Sequence, residues 1–125
     1  MNNPESLMYT KSHEWLHRDG DTYEIGITDY AQSELGDIVF INLPNVDDEV
    51  VSGEALADVE SVKAVSDILS PVSGTVVEVN EELLDAPEKI NEAPYHAWIA
   101  RISSVTDVLE TLTSAQYEEF LKQEE

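Results

Sequence analysis

Closely spaced turn signals constrain the fold of this chain more than any other feature. Over the first hundred residues, turn-forming positions rich in Gly, Pro, Asn and Asp separate short segments rich in Val, Ile, Leu and aromatic residues. This pattern is typical of an all-β sandwich or barrel. The length of 125 residues suits one domain with a modest core, so we expect a single, mainly β domain over residues 1–125.

Two predicted strands near the amino terminus are joined by a tight turn. Residues 14–18 and 23–28 flank Asp19-Gly20-Asp21, and the Asp-Gly step supplies the positive φ that a tight hairpin needs. Further along, residues 38–43 are apolar at nearly every position and end at Pro44-Asn45. They predict a buried strand followed by a turn.

Short helices are predicted between the strands. Residues 29–35 predict a helix that is capped by Asp29, presents an apolar side and ends at Gly36. Further short helical signals follow residue 80, where Pro87 suits a first helical turn. The helix over residues 29–35 is expected to serve in packing.

The carboxyl-terminal region is predicted to be helical after one last strand. Residues 97–103 predict that strand, and the following residues to 125 predict one or two helices, a helical part over about 106–122. Ser114 is the predicted cap of the second helix. The apolar stripe of this part is expected to cover the sheet.

A short internal repeat surrounds a single lysine. Val51-Ser52-Gly53 and Val72-Ser73-Gly74 are each followed by a predicted strand, and Lys63 lies near the midpoint between the two glycines. If residues 55–60 and 64–69 are antiparallel neighbours, Ser61-Val62-Lys63 forms the turn between them. The pattern predicts a hairpin region over about 54–80 with Lys63 exposed at a tip.

The formal charge of −21 argues against several classes of partner. It repels the phosphates of nucleic acids and the surface of an anionic membrane, and no apolar run approaches the length that spans a bilayer. Proteins with basic docking surfaces are the expected partners, and the charge favours a soluble monomer between encounters. Solubility alone explains the charge equally well.

The residue inventory also limits the chemistry. The chain has no cysteine, and its three histidines are not in metal-ligand spacing, so no metal site is predicted. A glycine-rich phosphate loop is also missing from the sequence. The amino terminus lacks a signal or transit pattern, which predicts the bacterial cytoplasm, or the mitochondrial matrix for a mature organellar form.

Lys63 is the only Lys or Arg between Arg18 and Lys89, a stretch that contains many carboxylates. A lysine nucleophile must be neutral, and nearby carboxylates favour the ammonium form, so catalysis by Lys63 is not expected. An exposed lysine with no other lysine nearby in the sequence is a suitable target for an enzyme that acylates one amine. A lysine that merely relieves like-charge repulsion is an equal alternative on these grounds.

Ordered motifs extend over nearly the whole chain, from about residue 7 to 120. They are Glu60-Ser61-Val62-Lys63-Ala64 with Ser66-Asp67, then Ser70-Pro71-Val72-Ser73-Gly74, and elsewhere His13-Glu14-Trp15, Gly26-Ile27-Thr28-Asp29-Tyr30-Ala31-Gln32, Leu35-Gly36-Asp37-Ile38-Val39, and Asn91 with Pro94-Tyr95. In this order and spacing they closely resemble the glycine cleavage system H proteins, which are lipoyl carriers.

The resemblance implies a β barrel-sandwich hybrid of the lipoyl/biotinyl type with pseudo-twofold symmetry, short helices and carboxyl-terminal helices. It implies lipoate in amide linkage to Lys63 and a carrier that is not itself an enzyme. The implied partners are a pyridoxal-phosphate-dependent glycine decarboxylase, a tetrahydrofolate-dependent aminomethyltransferase, a dihydrolipoyl dehydrogenase, and a lipoyl or octanoyl transferase or lipoate ligase. The aminomethyl group of glycine passes from the first of these enzymes to the second.

The resemblance also assigns roles to individual residues. Lys63 is implied as the lipoyl attachment point, and Glu60, Ser61 and Val62 as part of what the lipoylating enzyme recognises. The remaining implied site residues would form a cleft that protects the loaded arm: Ser12, Glu14 and Asp67. A carboxylate in such a cleft could pair with the aminomethyl ammonium.

One departure and three alternatives accompany this interpretation. The segment Pro94-Tyr95-His96-Ala97-Trp98 is shorter than is typical of the family and lacks its glycine, which predicts a different path for this loop.

The hairpin that carries Lys63 would also serve a lipoyl donor or relay for other lipoate-dependent complexes, or an unmodified interaction module. Biotin carriers usually have Met-Lys-Met at the tip, which Val62-Lys63-Ala64 does not match.

Overall fold

The computed structural model describes residues 3–124. Within them, nine strands form a six-stranded antiparallel sheet in the order β1-β2-β3-β9-β8-β5 and a three-stranded antiparallel sheet in the order β4-β6-β7. The strands are β1 Met8–Tyr9, β2 Glu14–Asp19, β3 Thr22–Ile27, β4 Ile38–Asn42, β5 Glu49–Val50, β6 Ala55–Ser61, β7 Val65–Leu69, β8 Val72–Val79 and β9 Ala100–Val108. The helices are α1 Asp29–Leu35, α2 Glu82–Asp85, α3 Lys89–Glu92 and α4 Ser114–Glu124. The mainly β prediction is confirmed.

The first predicted hairpin is present. Strands β2 and β3 pair from Glu14↔Ile27 to Asp19↔Thr22, which leaves two residues in the loop. Gly20 has a φ of 61°, a conformation that costs glycine nothing and other residues a steric penalty. The Asp-Gly step therefore fixed the position of this turn.

Helix α1 has the predicted bounds but a different cap. The Thr28 side chain, not that of Asp29, accepts a hydrogen bond from the Ala31 amide at 3.2 Å. Thr28 has the extended backbone of an N-cap residue, whereas Asp29 is already the first helical residue. Gly36, at a φ of 77°, ends the helix as predicted.

Strand β4 is buried on one face only. Ile38 and Ile41 lie in the core, whereas Val39 and Phe40 are exposed. The register of β4 against β6 shifts between Ile38 and Phe40. The side chains of residues 38–40 therefore do not alternate regularly between the two faces of the sheet. The prediction of a buried strand was therefore wrong for the outer face.

The two Val-Ser-Gly segments have different structures. Gly53 lies in a turn with a φ of 86°, whereas Gly74 lies inside β8, so the second predicted turn is wrong. A Cβ atom on Gly74 would come within 2.5 Å of the Ser103 carbonyl oxygen. This glycine is required by the close approach of β8 to β9 and not by a turn.

The carboxyl-terminal prediction placed helix where the chain continues as a strand. Strand β9 extends to Val108, and its last residues pair with the start of β8 through Asp107↔Ser73 and Val108↔Val72. Helix α4 begins only at Ser114, so a helical part from about 106 is wrong, and Glu125 lies outside the described residues. Sheet pairing overrode the helical spacing of the apolar residues.

The cap of α4 also differs from the prediction. The Gln116 amide donates to the Thr113 side-chain oxygen at 3.2 Å, and the Gln116 side chain accepts from the Thr113 amide at 2.9 Å. This reciprocal pair is a capping box. Ser114, the predicted cap, instead donates its hydroxyl hydrogen to the Asn3 carbonyl oxygen at 2.5 Å.

Two apolar clusters stabilise the molecule. The larger is formed by buried Ile, Val, Leu and Ala side chains from both sheets, together with Leu83 of α2 and Ile90 of α3. The smaller lies beneath α4 and contains Tyr9, Trp15, Tyr117 and Leu121. Helix α4 thus covers the sheet, as predicted. No helix in residues 3–124 is long and apolar enough to cross a bilayer.

Candidate functional site

The predicted lysine lies at a hairpin tip. Strands β6 and β7 pair antiparallel up to Glu60↔Val65, and Lys63 lies in the turn between them. Ser61 holds this turn: its amide donates to the Ala64 carbonyl at 2.8 Å, and its Oγ accepts from the amides of Lys63 and Ala64 at 3.1 Å each. The Ser61 side chain is thus a turn-forming group at this position.

The stem of Lys63 lies over the turn between α1 and β4. A Cβ atom on Gly36 would be 3.4 Å from the Lys63 Cε, and the Val62 amide donates to the Asp37 carbonyl at 3.0 Å. Lys63 itself is exposed and forms no ion pair with any residue that the structure describes. The amine is therefore accessible to a partner while its backbone is held in place.

Asn91 of α3 organises the turn beneath the tip. Its side-chain oxygen accepts from the Ile38 amide at 2.8 Å, and its Nδ2 donates to the Gly36 carbonyl at 2.8 Å and to the Gln32 Oε1 at 2.9 Å. Asn91 thus joins the end of α1 to the start of β4, and the Asp37 carbonyl between them holds the tip. Sequence reasoning placed Asn91 in a motif without giving it this role.

Replacing Asn91 by alanine is expected to lower the free energy of unfolding by about 2 kcal/mol, because the Ile38 amide and the Gly36 carbonyl would lose a partly buried partner. Urea denaturation measures this change. The matched control is Asn45→Ala, since Asn45 is exposed and uses its backbone amide for its hydrogen bond. Equal stabilities of the two variants would contradict this role of Asn91.

The three residues predicted to form a cleft line one cavity. Ser12 contributes from the turn before β2, Glu14 from the first position of β2, and Asp67 from β7. The cavity has a volume of about 190 Å³, and the rest of its lining is His13 together with residues of α1, β3, β6 and β7 that include Tyr30 and Glu34. The structure therefore brings the predicted residues together beside the hairpin that carries Lys63.

Glu14 is a buried carboxyl group within this cavity. It is 2 % exposed and accepts hydrogen bonds from the hydroxyls of Thr10 at 2.8 Å and Ser12 at 2.5 Å. Burial raises the pKa of Glu14 from its ordinary value of 4.5 to about 7, although these bonds and one from the Leu69 amide oppose the shift. Near neutral pH the group can bind a cation as a carboxylate or donate a proton as an acid.

A hydrogen-bonded chain holds one wall of the cavity against α4. The hydroxyl of Tyr117 is 2.8 Å from the Nδ1 of His13 and 2.8 Å from the hydroxyl of Thr28, which caps α1. The rings of His13 and Tyr30 lie 4.6 Å apart. No sequence pattern identified this arrangement, because its members are distant in sequence and become neighbours only in the folded chain.

The short loop formed by residues 94–98 lies outside this cavity. Its Pro94 carbonyl accepts a hydrogen bond from the indole of the buried Trp15 at 3.0 Å. Pro94 and Tyr95 line a different depression of about 540 Å³ near the amino terminus. The departure from the family pattern therefore leaves the lining of the Ser12–Glu14–Asp67 cavity unaffected.

The arrangement is suited to acylation and ion binding. No group of three His, Cys, Asp or Glu side chains that could hold a metal lies within the described part of the chain. An exposed amine at a hairpin tip can form an amide, and the cavity beside its hairpin presents carboxyl and hydroxyl groups to any polar group that enters. These are the features of a tethered carrier.

Comparisons with known proteins agree on one family. Residues 7–124 match the family "Glycine cleavage H-protein". The chain is 59% identical over 121 residues to the glycine cleavage system H protein of Lachnoclostridium phytofermentans, which covers 96% of this chain and 95% of that protein. It is 58% identical over 123 residues to a probable glycine cleavage system H protein of Pyrococcus abyssi, with coverage of 94% and 91%.

A solved structure gives the same result. The crystal structure of a glycine cleavage system H protein from Mycobacterium marinum aligns with a TM-score of 0.87 and 40% sequence identity, and the alignment covers 98% of each chain. The family motifs, the two-sheet architecture and the lysine at the hairpin tip are therefore consistent with one another. This chain belongs to the glycine cleavage H-protein family.

Proposed function

We propose that this chain is the lipoylated carrier of the glycine cleavage system, with lipoate attached to Lys63. The observation that carries the proposal is the exposed amine of Lys63 at the β6–β7 tip in a member of this family. When bound, lipoate supplies the dithiolane that takes up the aminomethyl group of glycine. The names of the relatives favour this role over that of a relay for other complexes.

Attachment at one amine follows from the distribution of bases. Lys63 has no Lys or Arg competitor between Arg18 and Lys89, and the Ser61 turn and the contact with Asp37 hold its backbone. Glu60 and Val62 are exposed beside it, where a lipoylating enzyme can contact them. A lysine stem tethered at a tip also raises the local concentration of its cargo at a partner's active site.

The proposed partners act in sequence on the same arm. Glycine decarboxylase delivers the aminomethyl group, aminomethyltransferase removes it, and dihydrolipoyl dehydrogenase restores the disulfide. The chain supplies no catalytic group to these reactions and serves as a carrier. The bacterial relatives support the bacterial cytoplasm as its compartment.

The cavity lined by Ser12, Glu14 and Asp67 is proposed to receive the loaded arm. Asp67 lies four residues from Lys63, or roughly 13 Å along an extended strand, which an acylated lysine can span when it folds back. A carboxylate of Glu14 would pair with the aminomethyl ammonium in a charge-assisted hydrogen bond. Withdrawal from solvent would slow hydrolysis of the cargo.

The proposal is tested by the exchange of labelled carbon dioxide into glycine, catalysed by glycine decarboxylase. The protein is loaded by a lipoate ligase with lipoate and ATP, and the unloaded protein serves as the control. Exchange is expected with the loaded protein and not with the unloaded one. A loaded protein that supports no more exchange than the unloaded protein would refute the carrier role.

Glu14 is expected to make stability depend on pH. Its pKa is raised in the folded protein, so the folded state binds the proton of Glu14 more tightly than the unfolded state does. This proton binding stabilises the folded state fully below about pH 4.5, and the stabilisation is lost as the pH rises through about 7. A pKa shift of this size corresponds to about 3 kcal/mol in the free energy of unfolding. Urea denaturation at several pH values should therefore show wild type losing about this much relative to Glu14→Gln between pH 4.5 and 8.

The same variant tests the proposed cleft. The neutral amide of Glu14→Gln cannot form the ion pair, so release of the aminomethyl group from the loaded arm is expected to be about tenfold faster than in wild type. Glu110→Gln is the control, because Glu110 is exposed and does not line the cavity. Equal release from wild type and Glu14→Gln would show that Glu14 does not protect the arm.

A further inference from the structure

Four exposed apolar side chains lie on the hairpin that carries Lys63 and on the adjoining strand β4. They are Val39 at 55%, Phe40 at 44%, Val62 at 67% and Val65 at 68% relative exposure, and together they are called the tip patch. Phe40, Glu60 and Val65 lie side by side across β4, β6 and β7, because Phe40 pairs with Glu60 and Glu60 pairs with Val65. The patch therefore combines strand β4 with the hairpin.

Carboxylates border the tip patch. Glu60 lies within the cross-strand row, and Asp58 lies two residues away along β6 on the same face. Lys63 is the only base in this part of the sequence. A complementary protein surface would have an apolar centre and a rim of Lys or Arg side chains.

The chemistry of attachment decides which partner must cover this surface. An amide forms between the Lys63 nitrogen and the carbonyl carbon of an activated acyl group, an acyl adenylate or a thioester. The amine loses a proton, the bond from the carbonyl carbon to the adenylate oxygen or to the thioester sulfur breaks, and AMP or the thiol departs. The acylating enzyme must therefore bring its active site to the Lys63 nitrogen itself.

The enzymes that act on the lipoylated lysine react with its dithiolane, at the end of the arm away from the protein. They do not need to contact the base of the lysine, whereas the acylating enzyme does. A stable interface covers about 800 Å² on each partner, which is enough to include side chains within two strands of Lys63. The apolar side chains nearest Lys63 therefore fall within the footprint of the acylating enzyme.

We propose that the tip patch, Val39, Phe40, Val62 and Val65, is the docking surface for the enzyme that acylates Lys63. The proposal rests on the proposed function and extends recognition from the residues beside Lys63 to the bulged strand β4. Phe40 is the central contact, since aromatic side chains dominate interface energetics. Strand β4 holds it in place by burying Ile38 and Ile41 on the opposite face.

The test compares two double variants of the unloaded protein as substrates for a lipoate ligase with lipoate and ATP. Phe40→Thr with Val65→Thr removes apolar surface but places β-branched residues, which suit a strand, at both positions. Val46→Thr with Val51→Thr is the matched control, because both residues are exposed and lie before β6, at its far end from the tip. Thermal melting confirms that both variants are folded.

The tip-patch variant is expected to lower kcat/KM for acylation about tenfold or more, mainly through KM, and the control variant is expected to stay within about twofold of wild type. Once loaded with excess ligase and verified by mass, the tip-patch variant should support glycine–carbon dioxide exchange within about twofold of loaded wild type. This pair of results assigns the patch to the acylating enzyme.

Three results would overturn the assignment. They are unchanged acylation of the tip-patch variant, an equal loss in the control variant, and an equal loss of exchange by the loaded variant, which would give the patch to the decarboxylase as well. Failure of the proposed function looks different. In that case the wild-type protein itself would not be acylated at Lys63, or would support no exchange once loaded.

Discussion

Lys63→Arg is expected to abolish both lipoyl attachment and glycine–carbon dioxide exchange, reducing exchange to the level seen without the carrier. Arginine keeps the charge and a long stem, but its guanidinium is always protonated and does not form the amide. The fold should be unchanged, because the Lys63 side chain is exposed and its hydrogen bond to Ser61 uses the backbone. Mass spectrometry after incubation with ligase, lipoate and ATP measures attachment.

The control for this substitution is Lys11→Arg, which makes the same chemical change at another exposed lysine. It is expected to be acylated and to support exchange like wild type. A lipoyl group on the Lys63→Arg protein would place the attachment site elsewhere. Full exchange by the Lys63→Arg protein would show that Lys63 is not required for glycine–carbon dioxide exchange.

Gly26→Ala is expected to reduce the free energy of unfolding by about 3 kcal/mol, because overpacking a well-filled core forces neighbouring groups to move. A Cβ atom on Gly26 would lie 2.5 Å from the Trp15 ring, which faces Gly26 across β2 and β3. Trp15 is 1% exposed and its indole donates to the Pro94 carbonyl, so it cannot move freely. Urea denaturation measures the loss.

A double-mutant cycle identifies the cause of this loss. Trp15→Leu removes the ring that the new methyl group would meet, so Gly26→Ala should cost far less in the Trp15→Leu background than in wild type. Equal costs in the two backgrounds would show that the loss arises from the backbone. A fully stable Gly26→Ala protein would show that this part of the core is loosely packed.

Local signals predicted the hairpins and the position of Lys63. The Asp19-Gly20 step and the spacing on either side of Ser61-Val62-Lys63 each specify a turn within a few residues, so neighbouring strands follow directly. The family motifs then placed Ser12, Glu14 and Asp67 together, and the structure brings them into one cavity. These predictions depended on short stretches of chain or on the resemblance.

The features that were missed depend on contacts between distant residues. Val108 is at helical spacing with the apolar residues that follow it, but its pairing with Val72 keeps it in a strand. The outward direction of Phe40 follows from an irregular register with β6 that the sequence of β4 does not reveal. The support that Asn91 gives to Gly36 joins residues 55 positions apart.

The acidic charge and the isolation of Lys63 between Arg18 and Lys89 have one explanation in the carrier account. A long stretch with many carboxylates and one exposed amine, at a hairpin tip, offers an acylating enzyme a single target in that region. The same carboxylates border the tip patch, where they would attract a basic rim and accelerate encounter. Solubility is a further consequence of the charge and does not compete with this role.

The most direct test is peptide mapping of the protein isolated from its native host, together with its intact mass. Trypsin does not cleave after an acylated lysine, so lipoylation at Lys63 predicts one peptide, residues 19–89, with a lipoyl-sized increase in mass. Unmodified Lys63 would instead give the two peptides 19–63 and 64–89. Finding only these two, in a host that lipoylates its other proteins, would contradict the carrier role.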